Sequence, residues 1–233
     1  MSTVAAKSRK EFGRTVAADI THRLRANIVS CQLKPNEPLK FDSLRQSYGA
    51  SFSTLREALT SLVTDGLVTC EEQRGFRVAP VSLDDLRDLT HVRLLVEIEA
   101  LRLSIEKGKD DWEIGVIAAL HRLSKIEARA SGNPVAEPDW KSAHREFHLA
   151  LIAACGSPTL IAMHKALFDR AERYRSLSAA LRPTPRDKQG EHRALMQAAI
   201  ARDAGLAEQL IEKHIQTTTN NVAKYAKRLL TAG

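Results

Sequence analysis

Four of the eight histidines could act together on a ligand. His144 and His148 stand four apart in HREFH, and on a helix that spacing puts both imidazoles on one face. His192 and His214 fall on two later helical stretches, and facing helices of a bundle can bring such groups to one point. Imidazole is the commonest protein ligand for zinc, nickel and related ions. Four nitrogens, or three and a water, suit Zn²⁺ or Ni²⁺ better than Mg²⁺ or Ca²⁺. On spacing alone, ordinary core or surface histidines are the commoner outcome. His22, His91, His121 and His164 have no such pairing and read as ordinary surface or core residues. A zincin protease would need HExxH; here Arg145 holds the Glu place and Glu146 comes one residue late. That residue turns the carboxylate by about 100° around the helix. No Ser/His/Asp grouping and no Gly-rich phosphate loop stands elsewhere, so the sequence does not read as an enzyme.

The second chemically suggestive stretch runs from Asp42 to Val78. Leu44 and Tyr48 share a helix face, and Gly49 suits a left-handed residue closing that helix. Ser51 or Ser53 can cap a second helix with Leu55, Leu59, Leu62 and Val63 on one side, stopped by Asp65-Gly66. Leu67–Thr69 and Phe76–Val78 flank a turn and predict a β-hairpin. Helix, turn, helix and hairpin together predict a winged helix-turn-helix, whose second helix enters the DNA major groove. Ser51, Ser53, Thr54 and Arg56 lie on its outer face: hydroxyls suit phosphate oxygens, and arginine suits phosphate or guanine. The plain alternative is a helical hairpin with solvated polar residues.

The elements around these residues set the frame. The 233 residues suffice for two modest domains. Net charge is +7, and residues 1–80 hold 12 Lys+Arg against 8 Asp+Glu, which fits a polyanionic partner at that end. Aromatic residues make up only 5%, which argues against a single-strand binder that stacks bases. Three widely spaced cysteines suggest reduced thiols in a cytoplasm, and the polar N-terminus lacks the apolar core of a signal peptide. No apolar run approaches the roughly 18 residues of a membrane span. Residues 1–13 read as a flexible basic arm, residues 14–80 as the DNA-binding domain and residues 81–233 as an all-α antiparallel bundle. Within the first domain, Val16, Ile20, Leu24 and Ile28 predict a helix from Arg14. Pro35 and Pro38 make a rigid loop after it. Within the second, Ser82 and Asp85 approximate a capping box for a helix over 83–107, closed by Gly108. Gly132-Asn133-Pro134, Gly156-Ser157-Pro158 and Pro183-Thr184-Pro185 punctuate the helices that follow. The fold class is thus mainly α, with one small β-wing.

These segments resemble a known family. Thr15–Pro80 resembles the GntR winged-helix domain: LKPNEPL matches its loop after the first helix, ASFSTLREAL its recognition helix, TDGLVTCEEQRGFRVAP its wing. HREFHLALIAACGSPTL, GEHRALMQAAIARDA and AEQLIEKHI stand in the order of the FCD effector domain of the FadR-type branch. VRLLVEIEALRLSI, DDWE, CGSP and ERYR are similar to the CsiR-like regulators, which are associated with glutarate and related dicarboxylates. The resemblance implies a homodimeric bacterial transcription factor on a palindromic DNA site, usually a repressor released by a small organic acid. It implies metal positions at His144, His148, His192 and His214. It implies DNA-reading positions at Ser51, Phe52, Ser53, Thr54 and Arg56, with Arg74 and Gly75 in the wing; Arg45 is a candidate phosphate contact. Two residues depart from the family pattern. His144 replaces the usual aspartate, which removes a negative charge and favours zinc or nickel over manganese. Phe52 replaces a frequent arginine and cannot grip guanine, so the operator is expected to differ. Arg93 and Tyr174 are the candidates for binding a carboxylate effector; the alternative for Arg93 is an ion pair with Glu97 at i+4. A metal-dependent hydrolase-like bundle and a ligand-free interaction module are the competing functional classes.

Overall fold

The four-residue repeat near the N-terminus builds the first support of the winged unit. In the computed structural model, which describes residues 2–72, 75–129, 139–179 and 189–225, helix α1 spans Ser2–Val29. Ala17, Ile20, Leu24 and Ile28 are buried on one side of it. The helix backbone begins at Ser2 rather than at the expected Arg14. Residues 2–12 contain no glycine or proline to interrupt it, and Ala5, Ala6, Lys7, Arg9, Lys10 and Glu11 are strong helix formers. Side chains are described from Val16 onward. Helix α2 (Phe41–Tyr48) ends on Gly49, whose φ of 63° is the left-handed closing residue expected there. Helix α3 (Phe52–Thr64) starts at Ser51, whose Oγ accepts from the Thr54 amide at 3.2 Å. Leu55, Ala58, Leu59 and Leu62 bury its inner face against α1 and α2. Arg25 pairs with Asp65 and fastens α1 to the end of α3.

Strands β1 (Val68–Glu71) and β2 (Gly75–Val78) form the antiparallel wing in the register Val68↔Val78 to Glu71↔Gly75. The Pro35–Pro38 loop does more than connect. Its segment pairs with the free edge of β2 through Asn36 N to Val78 O (3.0 Å), Val78 N to Glu37 O (2.9 Å) and Leu39 N to Phe76 O (2.8 Å). Proline can sit at such an edge because it need donate nothing outward.

The chain divides into two compact units, Met1–Val81 and Ser82–Ala232. The second holds helices α4 (Leu83–Lys107), α5 (Asp110–Arg129), α6 (Trp140–Ile152), α7 (Pro158–Ala179), α8 (Gln189–Ile200) and α9 (Ala204–Tyr225). Ser82 Oγ accepts from the Asp85 amide at 3.0 Å, so the serine half of the expected capping box forms, but the Ser82 amide donates to the Tyr174 hydroxyl rather than to the Asp85 carboxylate. Gly108 closes α4 at a close approach: a Cβ there would stand 2.3 Å from the Trp112 ring. Ser157 caps α7 ahead of Pro158, the first-turn position that suits proline. Trp112, Val116 and Leu123 of α5 pack with Phe147 and Leu151 of α6, Leu195 of α8 and Ile211 of α9 in one apolar core. Leu86, Leu89 and Val96 of α4 are buried as expected, but Val92 and Leu103 are half-buried. Arg93 and Glu97 take inward positions instead.

Candidate metal centre and nucleic-acid face

His144 and His148 project from one face of α6 and meet His192 from α8 and His214 from α9. One ring nitrogen from each lies within 4.8 Å of the other three, and all four residues are buried. Ring centroids are 4.7 Å apart for His144–His148, 5.2 Å for His144–His192 and 4.9 Å for His192–His214. Four donors bound tetrahedrally at about 2.1 Å from one ion stand about 3.4 Å apart. The rings are therefore gathered around one point and would close by about an ångström onto an ion. His148 Nε2 has no hydrogen-bond partner among the described residues. A buried imidazole nitrogen left so is costly unless a ligand meets it. Burial also pushes His148 below the ordinary histidine pKa, against the pull of Glu97. A neutral ring is the form a metal needs. The residues present fit a transition metal.

The surrounding shell orients the rings. His214 Nδ1 lies 2.8 Å from Glu191 Oε2, which leaves Nε2 to face the other histidines. His148 Nδ1 faces Glu97 Oε2 at 3.8 Å. Carboxylates behind ligating histidines fix the tautomer and raise ligand basicity. Replacing Glu191 by glutamine is expected to weaken zinc affinity about 10- to 100-fold, measured by competition with a chromogenic chelator. The fold should stay intact, because Glu191 is not deeply buried. Nothing in the sequence singles out Glu191: its place beside His192 carries no spacing signal.

His164, which no spacing in the sequence links to the other histidines, is a core residue 1% exposed. Its Nδ1 faces Glu97 Oε1 at 3.6 Å, and burial pushes its pKa down to about 4. Arg93 donates from Nε to Glu97 Oε1 at 2.8 Å, so the i+4 ion pair considered for it forms, fully buried. Helix α7 supplies the rest of this polar interior. Its Phe168 ring stands 5.6 Å from His144 and 5.4 Å from His148. The Arg175 guanidinium lies over that ring at 4.5 Å and that of Arg93 at 5.6 Å. Arg175 pairs with buried Glu172, and Arg145 with buried Asp169. Tyr174 is elsewhere engaged: its hydroxyl accepts from the Ser82 amide at 3.1 Å and lies 2.6 Å from Asp85 Oδ2, which Arg170 also grips at Oδ1. The structure thus puts Arg93 beside the histidine set and gives Tyr174 partners at the first turn of α4.

On the winged unit, Ser51, Phe52, Ser53 and Arg56 are exposed at the start of α3, with Thr54 half-buried among them. Ser51 Oγ lies 2.9 Å from Ser53 Oγ and 2.8 Å from Thr54 Oγ1, so the hydroxyls form one cluster. Arg45 is exposed on α2. Neither Arg45 nor Arg56 has a side-chain ion pair among the described residues. Gly75 opens β2 with a φ of 76°; Arg74 lies outside the described residues.

Family comparisons fall on these same two units. The model for bacterial regulatory proteins of the gntR family matches residues 16–78, and the FCD domain model matches residues 88–217. The chain belongs to the GntR family of bacterial regulators. The HTH-type transcriptional regulator BphR of Paraburkholderia xenovorans is 41% identical over 204 residues, covering 87% of this chain and 83% of its own. The HTH-type transcriptional repressor GlaR of Escherichia coli is 37% identical over 200 residues, covering 83% and 90%. The solved structure of E. coli McbR/YncC shares the fold with a TM-score of 0.75 at 20% identity, covering 90% of this chain and 97% of that one. As a GntR-family protein with an FCD domain, the chain is a DNA-binding transcriptional regulator and not an enzyme. Glu146, next but one to His144 in HREFH, is exposed and pairs with Arg122 at 3.5 Å. No helix among the described residues is long and apolar enough to cross a membrane.

Proposed function

We propose that this regulator is a cytoplasmic, homodimeric repressor whose helical unit holds zinc or nickel and takes a small carboxylate effector that changes operator affinity. The convergence of four buried imidazoles from three helices supports the metal most directly. Such an ion, when bound, offers a Lewis-acid position to a carboxylate oxygen. Arg93, buried beside the same rings through Phe168 and Glu97, is the proposed cationic partner of the effector. The interior beside the histidines is charged rather than apolar, which suits a ligand with more than one polar end; glutarate and related dicarboxylates are the proposed class. Tyr174 enters as a positioning residue, since an effector contact would have to displace Ser82 and Asp85 from its hydroxyl. The name of GlaR supports repression as the sign of regulation.

In the winged unit, α3 is the proposed recognition helix, with Ser51, Phe52, Ser53, Thr54 and Arg56 facing DNA. Arg45, Arg74 and Gly75 are proposed to lie against the backbone or in the minor groove. A dimer sets two such helices about 34 Å apart on a palindromic site. Arg56 should carry the largest single share among these residues. An arginine bonded to a guanine edge contributes about 1–3 kcal/mol, so Arg56→Ala should weaken operator binding about 5- to 150-fold in a mobility-shift titration at fixed salt. Equal binding by the variant would remove Arg56 from the interface. The whole reading is tested by titrating the DNA upstream of its own gene with glutarate, with and without chelator. Operator affinity indifferent to both additions would leave an interaction module without a ligand as the better description.

A further inference from the structure

We propose that Phe52 is the specificity-determining residue of α3 and that it reads the 5-methyl group of a thymine in the major groove. This deepens the recognition-helix reading and rests on it. Phe52 is 50% exposed, and among the described residues no other large apolar side chain of the winged unit is exposed. It is the first residue of α3, flanked by the hydroxyls of Ser51 and Ser53. An apolar ring in a polar row is the exception that needs a partner.

The ring is also braced. Its centroid lies 4.2 Å from that of Phe41, the first residue of α2, at an interplanar angle of 34°. Phe41 in turn meets Phe76 of β2 edge-on, at 6.0 Å and 81°. Three aromatic rings thus join the starts of α2 and α3 to the wing. Stacking on one face restricts where Phe52 can go, and its exposed portion is presented beside the hydroxyl cluster. A braced side chain discriminates between bases because it cannot swing aside to accommodate a poor fit.

The chemistry of the groove then narrows the target. Guanine shows N7 and O6 acceptors there, adenine an acceptor and an amine donor, cytosine an amine donor. A phenyl ring has neither donor nor acceptor to satisfy any of these. Thymine alone presents an apolar group, its C5-methyl. A 5-methylcytosine carries the same methyl and would be tolerated at the same position, whereas unmodified cytosine would not.

The test begins with selection of bound duplexes from a random pool by the wild-type protein and by Phe52→Ala. In the best wild-type duplex, each thymine is then replaced singly by uracil, which deletes only the methyl. One thymine per half-site is expected to cost the wild type about fourfold in affinity, the equivalent of one methyl group at about 0.8 kcal/mol. Phe52→Ala should bind the thymine and uracil duplexes equally and lose base preference at that position alone. Phe52→Gln, which can pair with adenine in a bidentate manner, should select adenine there; it also serves if the alanine variant folds poorly. Replacing a cytosine placed at that position by 5-methylcytosine should restore most of the lost affinity. Uracil penalties that persist in Phe52→Ala would assign the methyl to another residue. A uniform loss of affinity for every duplex, with base preference kept, would make Phe52 only a brace for Phe41. A wild-type protein that enriches no sequence would overturn the recognition-helix reading and this assignment with it.

Discussion

Replacing Glu97 by alanine is expected to lower the melting temperature of the helical unit by about 10 °C. Glu97 is 3% exposed and is held from three sides: Arg93 at 2.8 Å, His164 at 3.6 Å and His148 at 3.8 Å. Burial by itself would raise its carboxyl pKa. Arg93, His164 and His148 together outweigh that and hold it well below the ordinary carboxylate range. Removing the carboxylate leaves the Arg93 guanidinium charged inside the bundle with no counter-ion on Glu97. Breaking a buried pair from one side costs about 3–5 kcal/mol, and each kcal/mol shifts the melting temperature of a unit this size by roughly 2–4 °C. The double variant Arg93→Met, Glu97→Met should recover most of the loss, because removing both charges removes the stranded one. Thermal unfolding of the three proteins, followed by circular dichroism, decides the point. A double variant as unstable as Glu97→Ala would mean that the carboxylate matters through the histidines, not through Arg93. The contribution also has a pH signature. A depressed carboxyl stabilises fully above its unfolded-state pKa and loses that effect as the pH falls toward the folded value. The gap between wild type and Glu97→Ala should therefore narrow in strong acid.

Why some of this was legible in the chain and some was not follows from the distance between partners in sequence. The winged unit is made of local signals: a left-handed glycine at Gly49, a serine cap at Ser51, a stop at Asp65-Gly66 and two short strands joined by a turn. Each sits within a few residues of what it controls, so the elements follow from the order of residues. The His144–His148 pair is local in the same sense, since one helix turn sets it. His192 and His214 could be proposed only as members of facing helices, and their meeting depends on how α6, α8 and α9 pack. The residues packed behind the histidines were the least legible part. Glu97, His164, Phe168 and Arg175 come from two helices that have no periodic signal distinguishing an inward charge from an outward one. Arg93 and Glu97 even satisfy the spacing of an ordinary surface pair, and only the buried face of α4 shows that they are not one. The edge pairing of the Pro35–Pro38 loop escaped for the opposite reason: prolines read as a break, and nothing local says that a β-strand waits beside it.

Zinc added to metal-free protein is expected to raise the melting temperature of the helical unit by about 5–10 °C, and His148→Ala is expected to abolish most of that rise. An ion present at 100 times its dissociation constant adds about 2.7 kcal/mol to the native state, which gives that range at roughly 2–4 °C per kcal/mol. The effect is large because the site is prepared. Four imidazoles are already gathered and buried, two of them with a carboxylate behind the ring, so little ordering remains for the ion to impose. His148 is the variant to use because it stands on the HREFH face with its Nδ1 already turned toward Glu97. Its truncation also deletes a desolvated ring, so the metal-free variant should melt no lower than wild type by more than the cavity it leaves requires. That separates the ligand role from packing: a packing residue lowers both melting temperatures equally and leaves the zinc-induced rise intact, whereas loss of a ligand lowers the metal-loaded one further by most of that rise. The unfolding of the winged unit serves as an internal control and should not move with zinc, since its described side chains offer no such group of histidines. Wild-type protein that carries no stoichiometric metal and melts at the same temperature with zinc, nickel or chelator would show that the four rings are packed for their own sake. The operator-binding role would then have to be explained without an ion.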